Sequence, residues 1–156
     1  MIEYSKVIKM ELKVKDFSSL TNDELYEILK LRVGVFVVEQ KCAYQDIDDA
    51  DRDAYHVFYV DDGEIVAYAR VLPKGTAFEN VGIGRVIAKK RRCGLGTKVV
   101  TAAVNVAKEK FGADKIEVGA QVYCKSMYEK VGFKQVSDVY LEDGIPHVHM
   151  ILTIQN

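Results

Sequence analysis

The chain has 156 residues and a formal net charge of -1, with 49% hydrophobic and 29% charged residues. This near-neutral balance argues against a protein that binds nucleic acid or an anionic membrane through a broad basic surface. No apolar run approaches the ~20 residues of a membrane span. Three cysteines without a C-x-x-C pair indicate free thiols in a reducing cytoplasm. The length suits one domain, which we expect to cover residues 1–156.

The N-terminal half predicts a strand, a helix and a hairpin. Apolar and polar residues alternate over 7–14, which is typical of a strand. A capping box at 21–24 then opens a helix. The apolar stripe of this helix consists of Leu25, Ile28, Leu29 and Val33. Strands at 55–60 and 64–72 surround Asp61-Asp62-Gly63, which is a strong turn sequence.

The C-terminal half predicts four strands and two helices. The strands cover 81–88, 115–120, 133–141 and 147–154, and the helices cover 97–111 and 126–131. Gly112 and Gly132 end the two helices. The strand–helix–strand unit over 81–120 implies a parallel pair with a right-handed crossover, whereas the other neighbours look antiparallel. We therefore predict one α/β domain with a mixed sheet.

An acidic segment covers residues 45–53. Asp49-x-Asp51-x-Asp53 matches the start of a calcium-binding loop, but Ala54 and Val60 occupy the places of the required glycine and glutamate. We expect instead a solvated acidic loop, or an edge that attracts a cationic amine.

A second candidate for metal binding is the pair His147 and His149. The two residues stand two apart in a predicted strand, so both imidazoles point to one face of the sheet. The sequence offers no third zinc ligand at a convincing spacing. We expect no bound metal, and a pair that faces solvent or lies away from the cofactor.

The segment before the long helix carries the strongest functional signal. Four cations at 89–92 precede Gly94 and Gly96 at the start of this helix. Its first turn offers unpaired backbone N–H groups and about half a positive charge, and glycine lets an anion approach closely. These features predict a phosphate-binding turn. The Walker and dinucleotide-binding patterns are both incomplete here, and a plain helix start with solvated cations is the alternative.

The spacing Arg91-x-x-Gly94-x-Gly96 resembles the acetyl-CoA signature of the GNAT superfamily of N-acetyltransferases. Downstream, Tyr128-Glu129-Lys130-Val131-Gly132-Phe133 resembles the Y-x-x-x-G-F motif of that superfamily, which follows the strand that splays to admit the cofactor. The segments 31–40 and 144–147 further resemble its ElaA-like branch. Gln121 stands where the superfamily often has asparagine, which puts only that position in doubt.

The resemblance implies a mostly antiparallel sheet of about six or seven strands with about four helices and a central β-α-β unit. It also implies acetyl-CoA as cosubstrate. The residues it assigns to cofactor binding are Val86, Ile87, Arg91, Arg92, Gly94, Leu95, Gly96, Thr97, Gln121 and Tyr128. Backbone N–H groups of the turn would bind the pyrophosphate, and the strand backbone at Val86 and Ile87 would align pantetheine.

Acetyl transfer needs an acid for the leaving thiolate and a base for the amine. Tyr128 is the candidate acid, and direct proton transfer from a phenol to a thiolate is uphill by only roughly 2 kcal/mol. His56 and Glu39 are candidate bases. A structural histidine, a charged rim residue and a water chain are the competing interpretations.

The predicted function is transfer of an acetyl group from acetyl-CoA to a primary amine by direct attack in a ternary complex. The acceptor is a small molecule or a protein, with no nucleic acid or membrane partner, and a homodimer is left open. The first alternative is a non-catalytic acyl-CoA-binding or interaction module on the same fold. The second alternative is a nucleotide-binding protein that uses the 91–97 turn.

Overall fold

The computed structural model describes residues 10–89 and 94–155. Its strands are β1 (Glu11–Asp16), β2 (Tyr55–Asp61), β3 (Glu64–Leu72), β4 (Val81–Ala88), β5 (Lys115–Gln121), β6 (Lys134–Gln135), β7 (Tyr140–Glu142) and β8 (Ile145–Thr153). Its α-helices are α1 (Asn22–Val33), α2 (Leu95–Phe111) and α3 (Lys125–Val131), and a π-helical turn at Gly34–Glu39 continues α1. Within these ranges, no helix is long and apolar enough to cross a membrane.

The strands form one mixed sheet, as predicted, and within the described residues it has eight strands instead of the six or seven that the resemblance implies. Its order is β1-β2-β3-β4-β5-β8-β6, with β7 also paired to β8. Within the described residues, β4 and β5 form the one parallel pair and α2 connects them, which confirms the predicted β-α-β unit. The predicted strand over 7–14 is found as β1, and residues 7–9 lie outside the described ranges.

A hydrophobic core lies on each face of the sheet. The α2 face is covered by the predicted stripe of α2, including Val99, Ala103 and Ala107, which are fully buried. The opposite face packs against α1, where Ile28 meets Phe58 of β2. The two layers of helices therefore enclose the sheet between them.

The start of α1 has the predicted capping box. The Glu24 backbone N–H donates to Thr21 Oγ1 at 3.0 Å, and the Thr21 backbone N–H donates to Glu24 Oε1 at 2.9 Å. At its other end the helix widens into the π-helical turn, where the Gln40 N–H donates to the Val35 carbonyl at 3.1 Å. This widening was not predicted, and it brings Gln40 to the end of β5.

The prediction of one continuous strand over 133–141 is wrong. β6 pairs with one half of β8 through Lys134–Ile151, and β7 pairs with the other half through Tyr140–His147. Between them, the hydroxyl of Ser137 accepts the backbone N–H of residue 149 at 2.9 Å. Because a side chain takes the hydrogen bond that a strand carbonyl would otherwise accept, the backbone leaves the ladder there.

Candidate active site

The sheet opens into a fork between β4 and β5. The parallel ladder contains only the pairs Val81–Ile116 and Gly82–Glu117. If the register continued, Gly84 would face Gly119. A Cβ built on Gly84 would meet no atom within 4 Å, so the sheet surface at the fork is open.

A bulge in β4 lies beside this fork. Gly84 pairs with Arg70 and Ile87 pairs with Tyr68, so Arg85 and Val86 together oppose a single residue of β3. The bulge reverses the faces of β4, because Ile83 packs in the α2-side core and Ile87 packs in the α1-side core. A bulge leaves backbone groups outside the ladder, and those of Val86 stand next to the fork.

The start of α2 is built from the glycine-containing turn. Gly94 adopts a left-handed conformation with φ of 71° and contributes no capping side chain to the helix. The N–H groups of the first turn, at Leu95, Gly96 and Thr97, have no partner within the helix. A Cβ on Gly96 would lie 2.6 Å from Met127 Sδ, so this glycine lets α2 approach α3. Arg91 and Arg92 lie outside the described residues.

Tyr128 lies on α3 and is 6% exposed. Gly132 ends the helix with φ of 116°, and this turn folds Phe133 back until its ring lies edge-on to Tyr128, with centroids 5.7 Å apart. The spacing between Tyr128, Gly132 and Phe133 in the motif is therefore explained by the packing of the two aromatic rings. Burial raises the pKa of Tyr128 above its usual range, so the phenol keeps its proton at neutral pH.

The segment after the π-helical turn reaches the carboxyl end of β5. Gln121 Nε2 donates to Gln40 Oε1 at 3.4 Å, and Cys42 Sγ lies 3.5 Å from the carbonyl of Asp143 in the β7–β8 turn. Glu39 ends the π-helical turn and is exposed. Gln121 and Glu39, predicted from separate parts of the sequence, thus lie on adjoining segments.

Arg32 is fully buried and bonds two aspartates of the acidic loop. Its Nε lies 3.0 Å from Asp46 Oδ2, and its Nη1 lies 2.5 Å from Asp51 Oδ1. Asp46 and Asp51 are 2% and 4% exposed, so the prediction of a solvated loop is wrong for both. The sequence could have predicted the burial of Arg32, because this residue falls four positions after Ile28 and so lies on the same buried face of α1.

The same network continues into the central strands through Asp48. Arg70 of β3 donates to both oxygens of Asp48, at 2.7 and 2.9 Å. The β4 bulge turns Arg85 toward the same loop, where its Nε forms an ion pair with Asp46 Oδ1 at 2.8 Å without hydrogen-bond geometry. Arg70 and Arg85 are therefore further members of the site that the sequence did not identify.

His56 is fully buried beside this network. Its Nδ1 lies 2.7 Å from the Tyr68 hydroxyl and its Nε2 lies 3.0 Å from the backbone carbonyl of Asp51. Burial lowers the pKa of His56, and the hydrogen bond to this carbonyl offsets the effect only in part. Both ring nitrogens are thus occupied inside the protein.

His147 and His149 point to one face, as predicted, and pair with Gln121 and Gly119 of β5. The solvent-facing alternative is wrong for His147, which is 7% exposed, and the alternative of a pair away from the cofactor stays a prediction. The ring of Tyr140 stacks on both imidazoles. Among the residues that the structure describes, no group of three or more His, Cys, Asp or Glu side chains is placed to hold a metal ion.

Comparison with known proteins agrees with this architecture. A family model described as an acetyltransferase (GNAT) domain matches residues 21–154. A UPF0039 protein of Schizosaccharomyces pombe is 44% identical over 149 residues, which cover 93% of this chain and 98% of that protein. Protein ElaA of Escherichia coli is 39% identical over 137 residues, which cover 85% of this chain and 90% of ElaA.

Two crystal structures have the same fold at appreciable identity. Escherichia coli ElaA superposes with a TM-score of 0.86 at 36% identity, covering 92% of this chain and 99% of that one. An acyl-CoA N-acyltransferase from Pseudomonas aeruginosa superposes with a TM-score of 0.84 at 37% identity, with the same coverage of 92% and 99%. The chain belongs to the GNAT acetyltransferase family, in the branch that includes ElaA and the UPF0039 proteins.

The Arg32 network yields a stability prediction. Arg32→Met should lower the free energy of unfolding by about 3–5 kcal/mol, because it leaves the buried carboxylates of Asp46 and Asp51 without their main partner. Arg52→Met is the matched control, since Arg52 is exposed, and it should cost less than about 1 kcal/mol. Urea unfolding of both variants measures the difference, and equal losses would contradict the network's importance.

The titratable groups around Asp51 yield a pH prediction. Burial opposes the charge of Asp51, but the hydrogen bond and charge of Arg32, with Arg70, outweigh it and lower its pKa. The pKa of His56 is also lowered. In both cases the unfolded chain binds more protons on acidification, so the folded state loses stability. The loss begins below pH ~6.5 through His56 and continues below ~3.9 through Asp51.

The variant His56→Gln tests whether His56 causes the loss of stability that begins below pH ~6.5. In the wild type the free energy of unfolding should fall by up to about 1.4 kcal/mol per pH unit as the pH drops from 6.5. In His56→Gln this slope should become smaller, whatever the absolute stability of the variant. Urea unfolding between pH 7.5 and 4.5 gives both slopes, and an unchanged slope would show that His56 is not responsible.

Proposed function

We propose that this GNAT protein transfers an acetyl group from acetyl-CoA to a primary amine by direct attack in a ternary complex. The observation that carries the proposal is the fork, where the β4–β5 ladder stops after Gly82 and Glu117. A pantetheine arm in this gap can use the backbone groups that the bulge at Val86 leaves outside the ladder. The Pseudomonas aeruginosa protein called an acyl-CoA N-acyltransferase supports an amine acceptor.

The cofactor would extend from the fork to the start of α2. Val86 and Ile87 line one arm of the fork, and Gln121 ends the other. The N–H groups of Gly94, Leu95, Gly96 and Thr97, together with Arg91 and Arg92, would bind the pyrophosphate. The positive end of the 17-residue helix α2 strengthens this anion site.

Tyr128 would protonate or hydrogen-bond the leaving thiolate. Its raised pKa keeps the proton on the phenol, and makes full proton transfer to sulfur less favourable than hydrogen bonding as charge develops. The hydroxyl would therefore act mainly by stabilising the developing negative charge on sulfur.

Neither candidate base from the sequence gains support from its surroundings. His56 is fully buried and both its nitrogens are in internal hydrogen bonds, so neither nitrogen is accessible to a substrate amine. Glu39 is exposed at the end of the π-helical turn, where it can attract a cationic acceptor. The cytoplasmic location stays a prediction, and a homodimer stays open.

Release of free thiol from acetyl-CoA tests the proposal against its two alternatives. The protein should bind acetyl-CoA, release free thiol with at least one member of a panel of polyamines, aminoglycosides and amino acids, and yield the acetylated amine by mass. Binding without thiol release would favour a non-catalytic acyl-CoA module. Displacement of acetyl-CoA by ATP at equal concentration would favour a nucleotide-binding protein.

Tyr128→Phe tests the acid. We expect kcat to fall by about 100-fold or more, because the negative charge that develops on sulfur loses its hydrogen-bond donor, while acetyl-CoA affinity measured by calorimetry stays the same. Tyr26→Phe is the control, since Tyr26 is 68% exposed on α1, and it should leave kcat unchanged. A Tyr128→Phe enzyme with wild-type kcat would eliminate the tyrosine as the acid.

A further inference from the structure

We propose that His149 is the general base that deprotonates the acceptor amine, with Glu117 as its positioning residue; this inference rests on the proposed acetyl transfer. Glu117 Oε1 accepts from Asn80 Nδ2 at 3.2 Å, and Glu117 Oε2 lies 3.3 Å from His149 Nδ1. A carboxylate only accepts, so the imidazole proton belongs on Nδ1 and the lone pair on Nε2. None of the described residues bonds Nε2, and the side chain is 34% exposed.

His149 stands beside the fork. It pairs with Gly119 of β5, which is the residue at which β5 has just separated from β4. Neighbouring strands lie about 4.8 Å apart, so the imidazole is one strand away from the gap. Paired residues share a face of the sheet, and His149 therefore faces the same side as the open surface over Gly84.

Two aromatic rings hold the imidazole in place. Tyr140 stacks on His149 with centroids 4.9 Å apart, and Phe78 meets it edge-on at 5.6 Å. A Cβ on Gly119 would lie 3.1 Å from the Tyr140 hydroxyl oxygen, so the glycine makes room for this ring against the sheet. A base held on a strand by packing and by a carboxylate is oriented before the substrate arrives.

The titratable groups that flank His149 are less suited to accept the proton. Both oxygens of Glu117 are engaged by Asn80 and His149. Burial, and then the charges of Glu142 and Glu117, raise the pKa of Tyr140, so it stays protonated. His147 has Nδ1 2.6 Å from a backbone carbonyl and Nε2 3.5 Å from Glu142.

The proposed step balances protons and bonds. His149 Nε2 takes one proton from the acceptor ammonium, and the neutral amine attacks the thioester carbonyl, forming the C–N bond. The C–S bond then breaks, and the second proton lost by nitrogen passes to the thiolate through Tyr128 or water. The imidazolium returns its proton to solvent. The net reaction converts an alkylammonium and acetyl-CoA into an amide, CoA thiol and a released proton.

The test compares two nucleophiles in wild type and His149→Gln. An alkylamine from the panel is protonated at pH 7 and needs a base, whereas hydroxylamine is already neutral. His149→Gln should lower kcat for the alkylamine about 10²–10⁴-fold, and for hydroxylamine less than about tenfold. His147→Gln, the same change two residues away on the same face, should affect both nucleophiles alike and weakly. Acetyl-CoA affinity should match wild type in both variants.

The positioning role of Glu117 is tested by comparing Glu117→Gln in the wild-type protein and in the His149→Gln variant. Glu117→Gln should lower kcat for the alkylamine in the wild-type background but cause no further loss in His149→Gln, because it acts through the imidazole. Equal losses for the two nucleophiles, or equal losses in His147→Gln, would overturn the base assignment and leave the proposed acetyl transfer intact. A wild-type protein that binds acetyl-CoA but releases no thiol with any nucleophile would overturn both.

Discussion

The structure depends on a buried ion network that joins the acidic loop to helix α1 and to the central strands of the sheet. Its arginines come from α1, β3 and the bulge of β4, and its three carboxylates come from one short loop. The members are Arg32, Asp46, Asp48, Asp51, Arg70 and Arg85. Buried charges are costly unless they are paired, so the loop has a strong reason to stay against the sheet.

This network also explains how the fork keeps its shape. Arg85 has a φ of 52°, a left-handed conformation that costs roughly 1–3 kcal/mol for a residue other than glycine. Its ion pairs with Asp46 and Asp48 offset that cost and hold the bulge open beside Val86. The ion pairs of the acidic loop therefore also maintain the geometry of the proposed cofactor groove.

The sequence predicted the helices and strands because their periodicity is local, and it displayed both motifs of the proposed cofactor site because each motif is contiguous. It missed what depends on distant partners. Arg32 resembles an ordinary helix cation until Asp46 and Asp51 are brought to it from 14 and 19 residues away. The break at Ser137 was missed for the same reason, since its partner is the backbone of residue 149.

The proposed cofactor end of the candidate site could be predicted from the sequence, whereas the surroundings of His149 could not. The motif at the start of α2 and the motif that contains Tyr128 can each be recognised from residues that are close together in the chain. The neighbourhood of His149 depends on strand register, because Glu117 is 32 residues earlier and reaches the imidazole only through the β5–β8 pairing. The sequence shows that His147 and His149 lie on one strand. It does not show that Glu117 contacts the imidazole of His149.

The reversal of faces within β4 makes this strand sensitive to its length as well as to its composition. Ile83 and Ile87 are four residues apart yet belong to opposite cores. Removing one residue between them would replace the bulge by simple alternation, and the two isoleucines, then three apart, would still face opposite cores because side chains in a strand alternate with a period of two. Conservative exchanges of apolar residues here should be tolerated, whereas deletion of one residue would keep both cores filled but abolish the bulge that places Arg85 and the backbone of Val86.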